Sequence, residues 1–145
     1  MARGAPGCRS KCPVAFGLDV FGDQWTLLIV RDLCFGTQRS FQSFLEAPEG
    51  IATNVLTDRL ARLEEAGIIE RVADPADGRR SRFYLTEKGI DLYPVVLEII
   101  RWAGKHAPQS PATPAVVKRL VEGRDELVAQ HRAAIRAARR ARPTS

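Results

Sequence analysis

The chain is poor in the residues that mark out whole classes of protein. Methionine occurs only at position 1, aromatic residues make up 7% of the chain, and the two histidines, His106 and His131, stand far apart. With Cys8 and Cys12 spaced as C-x3-C and only the lone, distant His106 and His131 to join them, the four make a weak zinc-ligand pattern, and no metal site is expected. Three cysteines, Cys8, Cys12 and Cys34, cannot all pair within one chain and lack the density of a secreted disulfide scaffold, so a reducing, cytoplasmic setting is the natural reading. The apolar run LLIV at positions 27–30 is closed by Arg31. Nothing in the sequence nears the roughly 20 apolar residues that cross a bilayer, and no membrane or secretory segment is expected. Also missing are a Gly-x-Ser-x-Gly elbow, a phosphate-binding Gly-rich loop and a dinucleotide fingerprint. Both histidines lie in or beyond a Pro-rich stretch, so a Cys/His nucleophile pair has no context. The chain reads as a non-enzyme without a cofactor.

What is present is a 145-residue chain with 45% apolar residues, enough for one core with appendages. The net charge of +5 suggests nucleic acid, but its distribution matters more than its sum. Fourteen basic residues precede Ala115, matched by fourteen acidic ones, whereas the segment from Ala115 onward holds eight basic residues against three acidic. The whole excess therefore sits in the tail, and bulk charge does not mark the rest of the chain as a DNA binder.

Four segments are expected along the chain. Residues 1–11, rich in Gly, Pro and Arg, read as a mobile arm. A helical domain follows over 12–104, then a Pro-rich linker over 105–114 and a basic helical tail over 115–145. Within the domain, Pro13 can start a short helix, and Asp23 stands at an N-cap position before QWTLLIVRDLCF, a segment apolar on nearly every side. Ser40 can cap a third short helix. The segment Ile51 to Arg71 gathers Val55, Leu56, Leu60 and Leu63 on one side of a fourth helix, closed by Gly67. IIERVA and RSRFYL, rich in branched and aromatic residues and separated by DPADGR, predict two strands and a turn. Thr86 then caps a helix running to Gly104, with a kink at Pro94. One further helix, lined by Val116, Val117, Leu120, Val121, Leu127, Val128 and Ile135, is expected in the tail, its first part packed and Arg132 to Arg142 solvated and attracted to DNA.

Four helices, a hairpin and a further helix within about a hundred residues describe a winged helix-turn-helix, mainly α with a small β wing. In that architecture the helix after the short turn enters the major groove and the hairpin reaches the neighbouring backbone. The outward side of the fourth helix, Asn54, Thr57, Asp58, Ala61 and Arg62, is small and polar and lacks the Glu/Lys pairs usual on an exposed helix. Such a face can sit deep in a groove whose base edges offer donors and acceptors.

These segments, together with the Cys-Pro start at Cys12, the Trp-Thr-Leu-Leu-Ile helix, the Leu-Thr-x-Arg-Leu-x-x-Leu-Glu-x-x-Gly helix, YLTEKG and the Trp-x-Gly near Trp102, resemble the HxlR family of bacterial transcription regulators from Cys12 to about Gly104. The resemblance implies a homodimer that binds a palindromic operator, with helices at both ends of the domain forming the dimer. It also implies that a cysteine at the position of Cys12 senses aldehydes, quinones or oxidants in some members. The chain departs from the family at Gln24 and at Ala52, where a serine cap is usual, leaving the cap to Thr53. Its DPADGRRSRF wing is closer to that of the MarR family.

The candidate DNA-binding residues are accordingly Thr53, Asn54, Thr57, Asp58 and Arg62 on the recognition helix and Arg79, Arg80 and Arg82 on the wing. Thr57 and Arg62 are favoured over Asp58, whose charge repels phosphate. Arg59, nearer the apolar side, is read as structural. Lys11 and a helix start beside Cys12 would favour its thiolate, which makes it the candidate sensor. Cys34 reads as core filler, and Cys8 only as a resolving partner. The function expected is a dimeric, operator-binding regulator of the repressor type, switched at Cys12 or by a small-molecule or electrophilic inducer. Its rival is a winged-helix module that binds a protein and not specific DNA, in keeping with the neutral charge of the first 114 residues.

Overall fold

A computed structural model of the chain describes residues 10–36, 38–107 and 114–140. Most of the expected arm and linker, and Arg142, lie outside these residues. Pro13 occupies the first position of α1 (Pro13–Phe21), where a missing N–H costs nothing. The Asp23 carboxylate accepts hydrogen bonds from the N–H groups of Trp25 and Thr26 and so caps the start of α2 (Thr26–Gly36). Ile29, Val30, Leu33 and Cys34 of α2 are buried in the central cluster, while Phe35 reaches the surface. After β1 (Arg39–Ser40), the Ser40 hydroxyl accepts from the Ser43 N–H and caps α3 (Phe41–Leu45), as its sequence position predicts.

The fourth helix, α4 (Thr53–Glu65), buries Leu56, Leu60 and Leu63. Its end is set by Gly67 at φ +74°, a conformation that a residue with a Cβ adopts only with strain. β2 (Ile69–Ala73) and β3 (Ser81–Leu85) form the expected antiparallel hairpin, and β1 joins the free edge of β3 to give the order β1-β3-β2. Register pairs Arg71 with Phe83 and Val72 with Arg82, so Phe83 and Leu85 face the core while Arg82 and Tyr84 point the other way. Thr86 caps α5 (Glu87–Ile90) through the Gly89 N–H. A Cβ at Gly89 would lie 2.1 Å from the carbonyl oxygen of Ile68, so this crossing admits only glycine.

The structure corrects two expectations here. The segment from Thr86 to Gly104 is not one helix kinked at Pro94. It is broken at Asp91 and Leu92, and Pro94 stands in the first turn of a new helix, α6 (Tyr93–His106), where its ring is accommodated. The tail likewise forms two helices, α7 (Pro114–Glu122) and α8 (Arg124–Arg140), which meet at Gly123. α7 lies along α6, and the Tyr93 hydroxyl donates to the Leu120 carbonyl at 3.1 Å. α8 lies against β3 and α5.

Nor is the basic half of the tail simply solvated. His131, Ile135 and Ala138 are buried, at the i, i+4, i+7 spacing of one helix face. The His131 Nε2–H donates to the Cys34 carbonyl at 2.9 Å, and Arg132 makes two bonds to Glu87 at 2.7 and 3.0 Å. Arg136 and Arg140 remain exposed. Among the described residues no helix is long and apolar enough to cross a membrane.

Candidate nucleic-acid interface

With its apolar side against the core, α4 presents Thr53, Asn54, Thr57, Asp58, Ala61 and Arg62 at the surface, all exposed. Thr53 is not the cap. The helix begins at Thr53, the N-cap position is Ala52 without a side-chain bond, and the Thr53 carbonyl instead accepts from the Thr57 hydroxyl at 2.9 Å. That bond leaves the Thr57 oxygen free to accept and its methyl free to touch a base.

Charge on this face is neutralised pair by pair. Arg62 Nε lies 3.0 Å from Asp58 Oδ2, an i, i+4 pair, and Arg59 Nη1 reaches the same oxygen at 2.5 Å. Arg59 Nε also donates to Asp23 Oδ2 at 2.8 Å. The structural reading of Arg59 thus has a definite partner, one no local pattern could reveal because it lies 36 positions away. Asp23 is a residue whose second role the sequence concealed: besides capping α2, it anchors α4 through Arg59. Burial raises the Asp23 pKa, but bonds from the Thr26 hydroxyl, Arg59 and the N–H groups of Trp25 and Thr26 outweigh burial and hold it at about 2, below the usual 3.8.

The wing is built by its two aspartates. Asp74 Oδ1 accepts from the Ala76 N–H and Asp77 Oδ1 from the Arg79 N–H, local turns that fold DPADGR into a loop closed by the Asp74 N–H to Arg80 carbonyl bond. At its tip the side chains of Arg79 and Arg80 are 94% and 80% exposed and lie beside Asp77, at 3.4 and 3.7 Å. Arg82 differs. It is held between Asp74 at 3.1 Å and Gln38 at 2.8 Å and braces the hairpin against the segment before β1. The Ala76 N–H, with Arg82 behind it, holds the Asp74 carboxyl below its usual range. Of the three wing arginines, two are therefore free to reach outward and one is occupied within the sheet.

Cys12 is exposed, at the N-cap position of α1. Cys34 is buried in the central cluster, where burial pushes its thiol up to about 12 and leaves it inert. Among the described residues no three His, Cys, Asp or Glu side chains are grouped to hold a metal ion. Val14, Phe16 and Leu18 of α1 and Ile99 and Trp102 of α6 are exposed apolar side chains, Trp102 by 68%.

The HxlR-like helix-turn-helix family model matches residues 20–111. The chain belongs to that family. An HTH-type transcriptional regulator of Mycobacterium tuberculosis is 35% identical over 101 residues, 70% of this chain and 63% of that protein, so the match spans less than two thirds of this relative. The HTH-type transcriptional regulator YodB of Bacillus subtilis is 33% identical over 95 residues, covering 65% of this chain and 84% of YodB. Its reduced form superposes with a TM-score of 0.56 at 30% identity over 67% of this chain and 95% of that one. The oxidised form of the redox regulator HypR gives a TM-score of 0.60 at 31% identity, over 66% and 97% of the two chains. The Mycobacterium tuberculosis relative and YodB are both HTH-type transcriptional regulators. The family match stops at residue 111, before α7 and α8 begin.

Proposed function

We propose that the protein is a cytoplasmic transcription regulator that binds a palindromic operator as a homodimer and acts as a repressor. The observation that carries this reading is the joint presentation of the exposed polar face of α4 and the outstretched Arg79 and Arg80 of the wing. Thr53, Asn54, Thr57, Asp58 and Arg62 then lie towards base edges in the major groove, and the two wing arginines lie towards phosphate or the adjoining minor groove. Arg82 holds the wing in shape. Ile99 and Trp102, exposed on α6 beside Pro94 and Val95, support dimerisation, since an exposed apolar patch on a small domain marks a contact with another surface. A twofold dimer sets its recognition helices for successive major grooves about 34 Å apart, and a change of subunit angle breaks that match.

Cys12 is the proposed point of control. It is exposed at the N-cap of α1, the helix on which the apolar side chains of Val14, Phe16 and Leu18 are also exposed. Covalent addition of an electrophile there would insert bulk at the subunit contact. YodB, a relative of the same fold, has been solved with quinone bound. A gel-shift series on the protein's own upstream region over a range of salt tests the central reading. Affinity that falls steeply with salt, and is lost in Thr57→Ala and Arg62→Ala proteins that still fold, supports it. Salt-insensitive binding, or none, favours a protein-binding module, the reading the paired charges of α4 would suit.

A further inference from the structure

The recognition face of α4 carries one basic side chain, Arg62, and that side chain is not free. Its Nε is bonded to Asp58, which is itself 47% exposed. Asp58 in turn does not hang loose in solvent, because Arg59 grips the same oxygen and is itself held by Asp23 at the start of α2. Asp23 is fixed by two backbone N–H groups and the Thr26 hydroxyl at 2.6 Å. A line of alternating charges, Asp23, Arg59, Asp58, Arg62, thus runs from the buried end of α2 to the exposed surface of the recognition helix. Both arginine bonds fall on Asp58 Oδ2, leaving Oδ1 to accept from an outside donor.

A carboxylate so placed is costly near phosphate, and a solubility role does not explain three residues arranged to hold it in position. It does match a base edge. In the major groove, cytosine presents its N4 amino group as a donor and guanine presents N7 and O6 as acceptors. Asp58 supplies the acceptor for the first and the Arg62 guanidinium the donors for the second. Because the two side chains touch, the pair matches the adjacent donor and acceptors of a single C·G base pair. We propose that Asp58 is a specificity-determining residue, and that the Asp58–Arg62 pair reads one C·G base pair in each operator half-site.

Asp58 contributes in two ways. It accepts from cytosine N4, and it competes with phosphate for Arg62, so that Arg62 binds tightly only where the base edge replaces what Asp58 gave it. Elsewhere the unsatisfied carboxylate lowers affinity. The proposal rests on α4 being the DNA-reading helix, and the experiment separates the two claims. Wild type, Asp58→Asn, Asp58→Ala and Arg62→Gln proteins are each used to select binding sites from a randomised duplex library, and affinity is then measured on the selected site, on the same site with the C·G pair replaced, and on random DNA.

The expected result is a wild-type motif with C·G at one position of each half-site. Asp58→Asn and Asp58→Ala should keep the rest of the motif, tolerate other pairs at that position with discrimination falling about ten-fold or more, and bind random DNA more tightly with a salt slope steeper by about one. Arg62→Gln should lose preference at the same position. A wild-type motif that Asp58→Asn and Asp58→Ala both reproduce unchanged would reduce the pair to a solvated helix contact and overturn the inference while leaving the operator-binding reading intact. Failure of the wild type to select any motif would overturn both.

Discussion

Replacing Asp23 by Asn would remove one negative charge from the junction between α2 and α4 while keeping a side chain able to cap α2. In the folded protein the Asp23 carboxyl titrates at about 2, against 3.8 when unconstrained. At about 1.4 kcal/mol per unit, that difference sets a ceiling of about 2.5 kcal/mol. The side chain is 31% exposed, so solvent screening reduces the figure, and we expect about 1–2 kcal/mol at neutral pH. The sign follows from the direction. A depressed pKa means that the contribution is complete above about pH 4 and disappears as pH falls through about 2.

The assay is urea unfolding of wild type and Asp23→Asn from about pH 6 down to about pH 2, following the gap between the two. A double-mutant cycle with Arg59→Gln should assign roughly half of the gap to the Asp23–Arg59 pair. A gap that stays constant through this pH range would refute the reasoning, since the loss would then come from a neutral hydrogen bond. So would a coupling with Arg59 of zero.

Three further outcomes are expected. Ile135→Ala should cost about 2–4 kcal/mol and lower the melting temperature by several degrees in a calorimetric scan, because this side chain of the basic tail is buried; an unchanged melting temperature would return the second half of α8 to solvent. Arg79→Gln with Arg80→Gln should weaken operator and random DNA alike and reduce the salt slope by about two, whereas Arg82→Gln should chiefly lower stability; equal effects of the two changes on DNA binding would remove the distinction drawn between them. A thiol reagent should modify Cys12 rapidly and leave Cys34 untouched until the protein unfolds, and release of DNA by an electrophile should vanish in Cys12→Ser. Mass spectrometry locates the adduct, and release that persists in Cys12→Ser would exclude Cys12 as the switch.

The elements most legible in the sequence were those whose signals are local. Ser40, Thr86 and Gly67 mark their helix ends by chemistry confined to a few neighbouring residues, and the hairpin is written in its Asp-Pro and Asp-Gly turn. Pro94 was harder, because a proline inside an apolar pattern reads equally as a kink or as the first turn of a new helix, and only the break at Asp91 and Leu92 decides between them. β1 has two residues and no periodicity, so its pairing with β3 leaves no trace in the pattern. Gln38, which holds Arg82, and Asp23, which holds Arg59, lie 44 and 36 positions away and could not be read from spacing. In the tail the signal was present but faint. His131, Ile135 and Ala138 are correctly spaced for one face, yet a histidine and an alanine among arginines do not read as core.

The tail also changes the mechanics of the wing. α7 lies along α6, α8 follows α7 and presses on β3 and α5, and α5 leads back into α6. These contacts close a triangle. A hairpin attached only at its root is a cantilever, free to pitch relative to α6. A third side removes that freedom, much as a diagonal stiffens a rectangular frame. Tilting α6 in this protein must therefore carry β3 with it, and in the proposed dimer a rotation between subunits would reach the wing as a displacement instead of being absorbed as local bending.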